Sequence, residues 1–267
     1  MIGGGHSRVP GGTAGLALAA CALLACGHDS PTTDVLLRDL RSDDEKVFER
    51  AKQALIEGGP AVWSELVDRL ESQESHVASD AGHTLTFVDV RPVALKLRRL
   101  LQSSDPRAHF WAAVDLAGLD LDDAHLVPYL TDGLYLDEID PKSVALVYLG
   151  FRVRSDALGA APRLIEGLRL VLLDDKKSTS THRGNAARTL GRIGKPGLPA
   201  LMAASKVPRA DWWAVDGLQE MGPAVAEAAM VLREIANQPI PEDYEEANRV
   251  SQLRDKAADA LRKIQRK

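Results

Sequence analysis

The pattern Ala-x-x-x-Leu recurs along this chain, and its spacing constrains the fold more than any other feature. It occurs as Ala51/Leu55, Ala81/Leu85, Ala112/Leu116, Ala145/Leu149, Ala186/Leu190, Ala214/Leu218 and Ala257/Leu261. One such pair means little in a chain rich in Ala and Leu. Seven pairs at steps of 30, 31, 33, 41, 28 and 43 residues constitute a repeat. Residues four apart share a helical face, so each pair sets a small and a large side chain on one apolar stripe. The two long steps contain polar or Pro-bearing insertions, at 173–182 and 237–248, which read as extended loops.

Other features keep the same phase. The segments DPRAHFWA (105–112) and VPRADWWA (207–214) align at an offset of 102, the offset between Leu116 and Leu218. Gly59-Pro60-Ala61-Val62 follows Leu55 at the spacing at which Gly222-Pro223-Ala224-Val225 follows Leu218. Asp105-Pro106 and Asp140-Pro141 place an N-cap acceptor before a Pro at the first helical position, and Ser42 with Glu45 reads as a capping box. Second helices are expected to open near Pro60, Pro92, His125, Pro162, Pro199 and Pro223. Each unit is then helix, turn, helix, and neither helix can bury its apolar face alone. Stacking gives an all-α superhelix over 41–267, with about six helical hairpins and a C-terminal capping helix. An aromatic content of 4% suits an Ala/Leu core of closely packed helices better than a β-sandwich.

The best-preserved unit is Asn185–Leu201, NAARTLGRIGKPGLPAL. It resembles the HEAT/armadillo-like repeat, particularly the short form found in phycobilisome lyases, whose consensus is A-x-x-x-L-G-x-I-G-x-x-x-x-P-A-L. The resemblance covers 41–267, is clear again in Pro141–Leu168 and Pro208–Leu232, and is degenerate in the first two units. It implies an α-solenoid that binds a protein along its concave groove, and it supplies no catalytic residue. A HEAT-like hydroxylase holds two irons through His-Glu dipeptides, and no His-Glu dipeptide occurs in this chain. Gly191, Gly194 and Gly197 have the look of a phosphate loop, but they follow a helix rather than a strand and the repeat's own turn accounts for them.

The N-terminal 26 residues have a separate character. Arg8 precedes an uncharged apolar run, 13–25, which is too short to span a bilayer and has the length of a signal-peptide core. The run ends in Leu23-Leu24-Ala25-Cys26-Gly27, which resembles the lipobox of bacterial lipoproteins. On that resemblance 1–25 is a cleaved signal peptide, Cys26 carries the lipid, and 26–40 is the lipidated Cys and a short tether. Removal of Cys21 and acylation of Cys26 would leave no thiol for disulfides, metal ligation or nucleophilic chemistry. The expected address is the bacterial cell envelope, at the periplasmic face of the outer membrane or the cell surface. An ordinary secretory signal that happens to contain a cysteine accounts for the same residues and would make the chain secreted or periplasmic.

Chemistry-bearing motifs are sparse. His76, Asp80 and His83 fall on one helical face and could in principle reach one metal, but they read as the polar outer face of a degenerate repeat. No G-x-S-x-G, Walker or Rossmann pattern occurs. The Ser/Thr run 178–181 beside Lys176-Lys177 reads as a solvated linker. A net charge of -5 argues against a nucleic-acid partner.

Charge distribution is more informative. Between Ala108 and Pro141 there is no Lys or Arg, while Asp115, Asp120, Asp122, Asp123, Asp132, Asp137, Glu138 and Asp140 are acidic. From 150 to 200 ten basic residues, Arg152 and Arg154 among them, face four acids. The expected partner surface comprises Asp115, Asp120, Asp122, Asp123, Asp137, Glu138, Arg152, Arg154 and Trp212. It is matched to a protein by charge complementarity. Trp212-Trp213, like Phe110-Trp111, also fits a wedge between adjacent units. The C-terminal Arg254, Lys256, Arg262 and Lys263 read as solubilising the end cap. The sequence therefore leads to a non-enzymatic, membrane-anchored scaffold with a protein partner and no cofactor, metal or small-molecule substrate. The alternative is a lyase-like or metal-dependent protein with its site in the groove.

Overall fold

The computed structural model describes residues 31–119, 124–152, 162–174 and 176–265. Among them the secondary structure is helical throughout, with no strand. The helices are α1 (Thr33–Asp39), α2 (Glu45–Glu57), α3 (Gly59–Arg69), α4 (Ser75–Leu85), α5 (Ala94–Leu100), α6 (Pro106–Ala117) and α7 (Val127–Asp132). They continue as α8 (Ile139–Arg152), α9 (Pro162–Leu173), α10 (Ser180–Ile193), α11 (Leu198–Ala204), α12 (Asp211–Met221), α13 (Ala226–Ala236) and α14 (Tyr244–Gln265). Short 3₁₀ turns at Arg91–Val93, Ala124–Leu126, Lys195–Gly197 and Gly222–Ala224 lead into α5, α7, α11 and α13.

The packing is that of an α-α superhelix. First helices form one layer, in which α2, α4, α6, α8, α10 and α12 each pack on the next. Second helices form the other, with α3 against α5, α7 against α9 and α9 against α11. The long α14 closes the stack on α12 and α13. The core lies between the layers, and the repeat builds it. Both members of the first six Ala/Leu pairs are buried, as is Ala257, with Leu261 partly covered. Each second helix opens where a Pro or His125 marks it.

Local chemistry sets the helix starts. Asp105 accepts from the Arg107 amide at 2.9 Å, which caps α6 ahead of Pro106. At α2 the expected Ser42/Glu45 box gives way to another cap: Asp44 accepts from the Lys46 amide at 2.9 Å, and Ser42 Oγ instead accepts from the Asp44 amide at 3.2 Å. Aspartate one residue before the first helical position reaches the free amides directly, so the box is unnecessary. The Ser/Thr run also has structure, because Thr179 caps α10 in a capping box with His182.

The helical body starts earlier than the sequence boundary at residue 41. Residues 33–39, assigned to the tether, form α1, capped by Thr32 and packed on α2, α3 and α4 through buried Leu36 and Leu37. At the other end, Arg254 and Lys256 fasten α14 instead of solubilising it. Arg254 Nε donates to the Ala236 carbonyl at 3.0 Å, and Lys256 Nζ donates to the Trp212 carbonyl at 2.8 Å and pairs with Asp216 at 2.9 Å. Arg249 adds an ion pair to the buried Asp211.

In the best-preserved unit, α10 and α12 touch backbone to backbone. A Cβ added at Gly191 would lie 2.3 Å from the Gly217 carbonyl oxygen. The turn that follows has Gly194 at φ +80°, a conformation other residues rarely adopt. The three glycines are thus structural. Among the described residues no helix is long and apolar enough to cross a membrane.

Candidate functional site

The structure separates the residues expected to form one charged surface. Cys26 lies outside the described residues, as do Asp120, Asp122, Asp123 and Arg154 and the side chain of Arg152. Asp137 is exposed and pairs with Lys177 at 3.2 Å; Glu138 lies 3.8 Å from Arg107. Trp212 is 38% exposed, but the Lys256 ammonium sits 4.1 Å from its ring centroid and 5.6 Å from that of Trp213. Trp212 is therefore part of the α12–α14 joint as well as of the surface. Burial pushes the Lys256 pKa down, against the opposing pull of Asp216.

Asp115 requires a correction. It is 2% exposed, so it belongs to no partner surface of the kind the acidic run suggested. Helix α6 is covered on every side: Ala108 and all residues from Phe110 to Ala117 are buried. Asp115 is the one charged residue in that buried run, and neither of its carboxylate oxygens has a hydrogen-bond partner. Burial alone drives its pKa well above the usual aspartate value.

Asp115 borders a half-open cleft of 310 Å³, but neither carboxylate oxygen is accessible from it. The walls come from the end of α4 and the turn after it (Leu85, Val88, Val90), from α6 and its exit (Val114, Leu119) and from Tyr148 on α8. Asp89 and Arg91 also line it. They bind each other, with Arg91 Nε 2.8 Å from Asp89 Oδ1 and Nη2 2.6 Å from Oδ2, which holds the Asp89 carboxyl below its usual range. Sequence reasoning passed over this cleft. The available signal was a lone aspartate inside AHFWAAVDLAGL, an otherwise apolar helix.

A second feature missed from sequence is the clip around Asp132, at the end of α7. Its carboxyl, 8% exposed, lies 2.5 Å from His109 Nε2 on α6 and 2.5 Å from Arg163 Nη1 on α9. Tyr135 supports the guanidinium: Arg163 lies 4.9 Å from the ring centroid, and the Tyr135 hydroxyl donates to the Arg163 carbonyl at 2.7 Å. The Asp132 carboxylate raises the His109 pKa, outweighing burial. The acidic run and the basic run thus meet across adjacent units, through Asp132–Arg163 and Asp137–Lys177, and partly neutralise each other.

The His76–Asp80–His83 face is taken up by other partners. Arg41 Nε lies 3.3 Å from Asp80, His76 pairs with Glu74 at 3.2 Å, and His83 sits edge-on to Trp111 with ring centroids 4.8 Å apart. His182 lies 2.6 Å from Ser143 Oγ, and burial lowers its pKa. Among the described residues no three metal-ligating side chains converge.

No family model matches the chain, and no curated protein does. Several solved structures are similar in helix arrangement. One is an engineered protein with 19% identity over 86% of this chain and 68% of that one, at a TM-score of 0.41. Human deoxyhypusine hydroxylase in complex with glycerol shares 16% identity over 88% and 96% of the two chains, at 0.38. The complex of CpcE and CpcF of phycocyanin lyase from Nostoc shares 18% identity over 87% and 97%, at 0.32. Scores this low carry no residue, ligand or activity over to this chain, whose fold rests on its own helices and their packing.

Proposed function

We propose that the chain is a non-enzymatic scaffold of the bacterial cell envelope, tethered by a lipid on Cys26, that binds a protein along its layer of second helices. The observation that supports this reading is a repeated exposed apolar side chain. Leu95 on α5, Leu170 on α9, Met202 on α11 and Met230 on α13 are all exposed, one on each of four second helices. A single exposed Leu or Met is ordinary. Recurrence on the three successive second helices α9, α11 and α13, with Leu95 further along the same layer, suits a ligand long enough to touch several units, and a polypeptide has that length.

The test is capture from envelope extracts with the purified chain, in parallel with the triple variant L170E/M202E/M230E. A specific protein retained by the parent and lost by the variant, with both melting alike, is the expected result. Equal capture by both would remove the second-helix layer from the account. A stoichiometric metal or chromophore on the purified chain, with turnover of a small molecule, would favour the enzyme alternative instead. The tether is tested separately: Cys26→Ala should abolish labelling by a radioactive fatty acid, and unchanged labelling would overturn it.

A further inference from the structure

We propose that this chain associates head to tail with a second copy of itself, the loop 238–246 of one copy docking on helix α5 of the next. The observation behind this is the setting of the two most exposed large apolar side chains among the described residues, Tyr244 at 83% and Leu95 at 65%. Each stands among charges of a single sign. Leu95 shares α5, ALKLRRL, with Lys96, Arg98 and Arg99, and the helix contains no acid. Tyr244 stands among Glu242, Asp243, Glu245 and Glu246, all exposed, and no base lies between Gln238 and Glu246. An apolar contact ringed by basic groups on one surface and by acidic groups on the other is complementary in both respects.

Local structure equips both surfaces. Leu95, Arg98 and Arg99 are three and four residues apart, share one exposed face of α5, and lie opposite the buried Leu97. Lys96 is turned to α3, with Nζ 2.7 Å from Asp68 and 2.7 Å from the Ser64 carbonyl, so the outward face belongs to the arginines. In the loop, Pro239 and Pro241 fix their own φ and restrict the residue before each, so Gln238 to Pro241 runs extended. Ile240, 53% exposed, is thereby held out on a stiff segment that loses little freedom on docking. Asp243 anchors the far end by accepting from the Glu246 amide at 2.9 Å, at the start of α14. Helix α5 belongs to the second hairpin and the loop follows the sixth. A solenoid unit touches only its neighbours, so the two surfaces meet between copies rather than within one. Because they are different surfaces, the contact is heterologous and leaves one of each free for a further copy. It uses none of α9, α11 and α13, so it stands or falls apart from the scaffold reading.

The test is sedimentation velocity of the full chain over a concentration series. The mean mass should rise with concentration at about 0.05 M salt and fall back at about 0.5 M, because the charges are exposed. The variants R98E/R99E and E242K/E245K alter exposed residues only, so each should melt like the parent while weakening association at least about tenfold. An equimolar mixture of the two should associate like the parent. In it the unaltered loop of one variant meets the unaltered α5 of the other, and the two reversed surfaces match as well. Leu95→Ser and Tyr244→Ser should each weaken association with its salt dependence retained. Association that ignores salt, or that either double variant leaves intact, would overturn the proposal, as would a mixture no better than its components. A chain that stays monomeric throughout the series would overturn it too and leave both surfaces to other proteins.

Discussion

The third and fifth hairpins carry the same Ala/Leu pair and solve the packing problem in opposite ways. In the fifth, α10 approaches α12 through glycines, with Gly191 against the Gly217 carbonyl and Gly217 against the Ala187 carbonyl. In the third, α6 fills the space with Phe110 and Trp111, both fully buried, and its neighbours yield to them: a Cβ at Gly82 would meet Trp111 at 2.4 Å. Backbone contact leaves no room between α10 and the first helix of the next unit, α12. The third unit accommodates aromatic rings and, at the far end of the same helix, a buried carboxyl without a hydrogen-bond partner beside a surface cleft. Its two buried carboxyls, Asp115 and the Asp132 of the clip, therefore lie where the repeat departs from its consensus.

Substitutions can test this contrast. The largest effect is expected for Trp111→Ala, which empties the aromatic wedge and should destabilise the fold by about 4 kcal/mol, read as a fall in the urea midpoint. Gly191→Ala should come next. Its methyl would sit 2.3 Å from a carbonyl oxygen of α12, so the helices must separate at a cost of about 2–3 kcal/mol. If Gly191→Ala is neutral, the close contact is not what holds the fifth unit to the sixth.

Asp132→Ala removes the anchor shared by His109 and Arg163 and should cost about 2 kcal/mol, a value reduced by the exposure of the Arg163 side chain. Because the folded state raises the His109 pKa, this stabilisation is complete below the unfolded histidine value and is lost as pH rises through the folded one. The difference in melting temperature between parent and D132A should accordingly shrink above neutral pH. A difference constant across pH 5 to 9 would show that His109 does not share the clip.

The smallest effect has the opposite sign. Asp115 has a folded pKa above its unfolded value, so ionisation favours the unfolded chain once the pH exceeds the ordinary aspartate range. D115N should therefore melt above the parent at pH 7, and the gain should vanish near pH 4, where the unfolded aspartate is protonated too. Loss of stability at pH 7 would mean that the carboxyl has a partner in the folded protein.

Much of the fold was legible because it is local and periodic. The Ala/Leu pairs gave the stripes, and Asp105-Pro106 gave a helix start that the structure reproduces; the start expected at Asp140-Pro141 is wrong, because α8 already opens at Ile139 and places Asp140 in its first turn. The first helix was missed because Thr33–Asp39 is under two turns long, and its three apolar residues, Val35, Leu36 and Leu37, are consecutive and show no period. The charged surface was harder still. Asp115 and Asp137 are indistinguishable as letters in an acidic run, yet one is buried and the other faces solvent, because α6 is enclosed by its neighbours and the segment after α7 is not.

By itself, the sequence determined that this chain stacks helical hairpins, since a repeated apolar stripe that cannot be buried within one unit must be buried by the next. Tertiary structure alone decided which charges find partners. Asp132 meets a histidine 23 residues before it on α6 and an arginine in the following unit, Arg91 is claimed by Asp89, and the Asp115 oxygens have no hydrogen-bond partner among the described residues. Such pairings depend on how neighbouring helices are set against one another, and that setting follows from the volumes at their contact, glycine in one unit and tryptophan in another.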